Sequence, residues 1–156
     1  MKDNEKTIEI LNDLIRINRD RIAGYEKAAE GIEEEDEGLE SLFHQLADES
    51  QRIQEELTEA VIAHGGEPAE DTTVSGKIYR IWMGVKDTFA GDDIKSTLEA
   101  CEFGEDAAQK AYAEALKDTS ELPETLRLMI RDQKDLLKMS HDLIRNKRDQ
   151  YQETEH

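Results

Sequence analysis

The chain has 156 residues, enough for one well-cored domain and too few for two comfortable ones. Its 38 acidic and 20 basic residues leave a formal charge of −18, a surface that repels nucleic acid and anionic lipid and removes both from the expected partners. Apolar and charged residues make up 37% each, with two prolines and few aromatics, which suits long surface-charged helices and predicts an all-α fold.

The first helix is predicted from about Asp3 to Ile32, on a stripe of Ile8, Leu11, Ile15, Asn18, Ile22, Tyr25, Ala29 and Ile32 that alternates steps of three and four. The acidic run "EEEDEG" closes it. A second helix, about 37–64, follows through Leu39, Leu42, Leu46, Ser50, Ile53, Leu57 and Val61, and "HGG" at 64–66 supplies a glycine stop. After the loop "EPAEDTTVSG", Ile78, Trp82, Val85 and Phe89 predict a short amphipathic helix at about 75–90. A third long helix is expected at about 92–117. The fourth, about 123–149, starts near Pro123 and runs through Leu126, Ile130, Gln133, Leu137, Ser140 and Ile144. No fixed repeat or composition shift divides residues 1–156, so a single bundle domain is expected.

Connection lengths narrow the topology. Turns of a few residues make helices one and two, and three and four, antiparallel hairpins. The connector between helices two and three has about 27 residues, enough extended and helical chain to return along a helix about 42 Å long. Helices two and three can therefore run parallel, with the fifth, short helix lying in the crossover.

In the third helix the stripe Ile94, Leu98, Cys101, Glu105, Ala108, Tyr112, Leu116 puts a glutamate at its centre. Burying a bare carboxylate costs several kcal/mol, so Glu105 must be paired, protonated or bound to a cation. Asn18, Ser50 and Gln133 interrupt the other three stripes at comparable distances from the hairpin turns, and the four are expected to meet as one polar layer. One reading is a hydrogen-bonded layer that fixes helix register; the other is a metal site, which bundles build at this height from inward carboxylates and histidines. On the first reading, Glu105 takes its partners from Asn18, Ser50, Gln133 and Tyr112 or a buried water, and Glu105→Gln costs little stability. Cys101, the single cysteine, lies on the apolar stripe as a small hydrophobe and has no disulfide partner in the chain. Neither a signal-peptide core in "MKDNEKTIEI" nor a run of 18 apolar residues is present, which predicts a cytoplasmic protein.

The segments "RIAGYEKAAE" (21–30), "RIWMGVKDTFAGDD" (80–93) and "LEACEFGEDAAQKAY" (98–112) resemble bacterial ferritin-like four-helix-bundle families of unknown function. One such family shares the Trp-Met crossover and a Glu-Cys-Glu-x-Gly-Glu-Asp-like third helix, here "EACEFGED" with Ala100 after Glu99. For the wider group, the resemblance implies a di-iron or di-manganese centre, with one Glu each from helices one and three and Glu-x-x-His on helices two and four. The matching positions are Glu26, Glu49, Glu102 or Glu105, and His141. Both Glu-x-x-His motifs are broken: Arg52 follows Glu49 by three, and Lys138 precedes His141 by three. The expectation is therefore a non-catalytic stress-related or interaction protein with a degenerate metal site and no cofactor. The alternative is a redox or metal-handling protein that uses iron or manganese. Ile81 and Met83 add apolar surface to the crossover beyond its main stripe, which predicts a homo-oligomer.

Overall fold

Among the described residues the chain forms four long helices: α1 (Lys2–Gly31), α2 (Glu37–Ala63), α3 (Ile94–Lys117) and α4 (Glu124–Thr154). The computed structural model describes residues 2–31, 37–70, 94–117 and 122–154. The short crossover helix expected at about 75–90, with Trp82, lies outside the described residues. Helix α4 runs past the expected stop near Asp149 to Thr154. No helix among the described residues is long and apolar enough to cross a membrane.

Each helix buries one stripe at steps of three and four. Leu11, Leu14, Ile15, Tyr25, Ala28 and Ala29 of α1 are at most 2% exposed, and Phe43, Leu57 and Val61 of α2 are wholly buried. Leu98, Cys101, Ala108 and Tyr112 of α3 meet them, and Ile130, Leu137 and Ile144 of α4 close the core. At about 25 cal/mol per Å² of apolar surface, this shared interior, more than helix propensity, holds the four helices together.

Side-chain pairings fix the directions. Asn4 reaches the His64 carbonyl while Arg21 reaches that of Leu46, so α1 and α2 are antiparallel. Arg21 meets Glu105 and Asn18 meets Tyr112, so α3 also runs against α1. Gln109 pairs with Lys134, and Glu102 with Arg148, which sets α4 against α3. Helices α2 and α3 are therefore parallel, the order that the long connector allows. The interhelix packing is closest within the α1–α2 and α3–α4 hairpins and looser between α1 and α3.

The end of α2 is closed by backbone geometry. Gly65 has φ of +80°, its N–H donates to the Ile62 carbonyl and the Gly66 N–H donates to that of Val61, the pair of bonds that defines a Schellman cap. The following chain folds back on α1: Asn12 donates to the Glu67 carbonyl at 3.0 Å and accepts from the Ala69 N–H at 2.8 Å. A Cβ on Gly66 would come within 2.8 Å of Ile8 atoms, so this return leaves room only for glycine. At the start of α4 the Pro123 carbonyl accepts from the N–H groups of Leu126 and Arg127. Proline suits that position because a first-turn N–H has no helical partner to lose.

Candidate functional site

The stripe of α1 passes through Asn18, Arg21 and Tyr25, at steps of three and four, and all three are wholly buried. A buried guanidinium must have its N–H groups met. Arg21 Nε donates to Glu105 Oε1 at 2.7 Å and Nη2 donates to Oε2 at 2.8 Å, a two-pronged pair whose members have no solvent exposure. Nη2 also lies 3.1 Å from Glu49 Oε1, and Nη1 donates to Ser50 Oγ at 2.6 Å and to the Leu46 carbonyl at 3.3 Å. Every guanidinium nitrogen therefore faces an acceptor.

Glu105 is satisfied on both oxygens, since Tyr25 Oη donates to Oε2 at 2.7 Å. The Tyr25 ring lies under the guanidinium, with the Arg21 Cζ 5.2 Å from the ring centroid, and rests against Phe43 at 5.7 Å. Burial alone would favour a neutral Arg21, but the adjacent Glu105 carboxylate outweighs it and holds the guanidinium more firmly protonated than an ordinary arginine. Burial, with Glu105 beside it, raises the Tyr25 pKa well above that of an ordinary tyrosine.

From Arg21 the hydrogen bonds continue across the bundle. Ser50 Oγ donates to Asn18 Oδ1 at 2.9 Å, and Asn18 Nδ2 donates to Tyr112 Oη at 3.0 Å and to the Leu14 carbonyl at 2.9 Å. Tyr112 donates in turn to Gln133 Oε1 at 2.9 Å, and Gln133 Nε2 donates to Glu56 Oε1 at 3.2 Å. Ser140 of α4 donates to Glu49 Oε1 at 2.9 Å, which closes the second route between α2 and α4. Asn18, Ser50, Glu105 and Gln133 thus belong to one network that touches all four helices.

The partners of Glu105 differ from those expected from the sequence. None of Asn18, Ser50, Gln133 or Tyr112 bonds it directly; Arg21 and Tyr25 do, and Arg21 carries the connection onward to Ser50. The reason is electrostatic, since amides and hydroxyls cannot offset a full buried charge and a guanidinium can.

The other candidate ligand positions scatter. Glu26 is exposed on α1. Glu49 is half-buried and turned to Arg21 and Ser140. Glu102 pairs with Arg148 instead of sharing a site with Glu105. His141 Nε2 lies 2.6 Å from Asp106 Oδ1, and its Nδ1 3.1 Å from Asp142 Oδ1. With Lys138 also beside it, Asp142 is held below the usual carboxylate range, the His141 hydrogen bond being the larger cause. Arg52 and Lys138, the cations in the broken motifs, are exposed. Among the described residues, no three His, Cys, Asp or Glu side chains cluster as a metal-holding group.

No curated protein matches the chain. The sequence model of a family described as a domain of unknown function, DUF2383, matches residues 6–118, from the first turns of α1 to the end of α3, and so includes Asn18, Arg21, Tyr25, Glu49, Ser50 and Glu105. With most of its length in that match, the chain belongs to the DUF2383 family.

Proposed function

We propose that this protein is a non-catalytic bundle of ferritin-like connectivity in which an arginine takes the place of a metal centre, and that it acts as an interaction protein through its surface. The observation that carries this reading is the position of Arg21, whose guanidinium sits between Glu105 of α3 and Glu49 of α2. Those are two of the carboxylates from which the resemblance would build a di-iron or di-manganese site. A dication there would need both, yet both Glu105 oxygens already accept charged or hydroxyl donors at 2.7–2.8 Å. The remaining positions support the same reading, because Glu102 and His141 are tied to Arg148 and Asp106, and Glu26 faces solvent. The donor set fits a guanidinium and fits a pair of dications poorly. The parallel α2 and α3 support the ferritin-like connectivity.

Metal analysis of tag-free full-length protein, exposed to ferrous iron or manganese and then dialysed, tests the proposal. The expected result is no retained stoichiometric metal. Stoichiometric iron or manganese, lost in Glu105→Gln, would overturn it and favour the redox reading.

A further inference from the structure

Helix α4 carries a second apolar stripe on the side away from the core. Leu128, Leu136, Met139 and Leu143 are 49, 45, 69 and 39% exposed, and at about 100° per residue they fall within a sector of about 80°, shared with Asp132 and Asn146, that faces away from Ile130, Leu137 and Ile144. Core burial does not explain this stripe, and a soluble helix seldom concentrates four large apolar side chains on its outer face.

Charge sets this helix apart as well. Over Glu124–Thr154 it holds seven Lys and Arg against six Asp and Glu, a net +1 within a chain of −18. Two copies approaching by most other surfaces repel each other; approaching by α4 they do not.

We propose that the outer face of α4 binds a second copy of this chain, α4 against α4 in antiparallel two-fold contact centred near Met139. This names the partner in the interaction reading above and rests on it. A two-fold contact is self-complementary, so each residue must suit the one that it faces. With the two-fold between positions 139 and 140, Leu136 lies level with the partner's Leu143, and Met139 lies within about 1.5 Å along the axis of the partner's Met139. In an antiparallel pair the same flank faces itself reversed. The flank reads Arg131, Asp135, Lys138, Asp142, Arg145, Asp149 at steps of four, three, four, three and four, all exposed except the half-buried Asp142. Reversed about that two-fold, it brings Arg131 to the partner's Asp149, Asp135 to the partner's Arg145 and Lys138 to the partner's Asp142, each pair within about 1.5 Å of level along the axis. Each pair is opposite in sign and occurs twice. Charge complementarity at the register that the apolar stripe selects is what points to a second copy instead of an unrelated partner.

Sedimentation of the full chain across concentrations up to about 100 µM, where small interfaces associate, tests this. Wild type is expected to dimerise. Leu136→Lys/Met139→Lys, at positions exposed in the single chain, is expected to be monomeric with unchanged helicity. Asp135→Arg, which opposes like charges twice, should weaken the dimer about tenfold. Asp135→Arg/Arg145→Asp restores the pairing and should recover affinity. Met139→Cys should give a disulfide-linked dimer on mild oxidation, and Leu128→Cys, far from the two-fold, should not. A wild type that is monomeric throughout, its stripe covered by another part of the chain or by nothing, would overturn the proposal. A dimer indifferent to these substitutions would do the same. Either result leaves the metal test of the bundle interior standing on its own.

Discussion

Arg21 and Glu105, 84 positions apart in the sequence, meet in the centre of the bundle through two parallel hydrogen bonds with no access to solvent. A buried pair of this kind adds little net stability compared with apolar residues of the same size, because both ions lost their water. Its effect is selective: slipping α1 past α3 by one turn would leave two uncompensated charges in the core. The pair therefore sets the register of α1 on α3, and Ser50 and Asn18 extend that constraint to α2.

Removing one hydroxyl tests the satisfaction of the layer. Tyr25→Phe deletes the third donor to Glu105 and keeps the ring against Phe43; Tyr112→Phe leaves Gln133 Oε1 without its donor and Asn18 Nδ2 with the Leu14 carbonyl as its remaining acceptor. Hydrogen bonds to charged groups contribute about 1.5–3 kcal/mol and neutral ones about 1 kcal/mol. In urea titrations, Tyr25→Phe should cost more stability than Tyr112→Phe. Equal or negligible losses would place the Tyr25 hydroxyl outside the ion-pair site.

The same tyrosines set an alkaline limit. Burial is the first cause of the raised pKa at both Tyr25 and Tyr112. A group whose folded pKa exceeds its unfolded value gives stability that is complete below the unfolded value and is lost as pH rises through the folded one. Stability should therefore be insensitive to these groups below pH about 10 and should fall above it. Tyrosinate absorbance should show Tyr25 and Tyr112 ionising only together with helix loss, their contributions assigned by comparison with Tyr25→Phe and Tyr112→Phe. Ionisation of either one while the helices remain intact would contradict the burial.

The cap of α2 gives a local test. Gly65 occupies the left-handed region with open space around it, whereas Gly66 is crowded by Ile8. Gly65→Ala should cost about 1–2 kcal/mol from backbone strain alone. Gly65→Asn should cost less, because Asn tolerates that conformation. Thermal unfolding of the three proteins distinguishes strain from a packing defect, which would penalise Asn more than Ala.

Helices at steps of three and four were legible because burial imposes that period, and the stop at Gly65 because only a residue without a Cβ enters φ of +80° freely. The polar layer was legible too, since Asn18, Ser50, Glu105 and Gln133 each break an apolar stripe. Arg21 was not. It stands beside Ile22, and an apolar stripe drawn through Ile22 leaves Arg21 on the flank, where arginine ordinarily belongs. The structure turns α1 so that Arg21 is wholly buried and Ile22 only partly so. The available signal was the spacing Asn18, Arg21, Tyr25, Ala28 together with the charge that Glu105 required. A stripe read for hydrophobicity alone cannot find the cation that offsets a buried carboxylate on another helix.

The central claim is that Glu105 is compensated by Arg21, and a double-mutant cycle measured by urea unfolding at fixed chain concentration tests it most directly. Glu105→Gln and Arg21→Met each leave the other charge buried and should each cost about 3–5 kcal/mol. Arg21→Met/Glu105→Gln removes both charges and should cost far less than the sum of the single losses. A neutral or stabilising Glu105→Gln, or losses that simply add, would contradict the account.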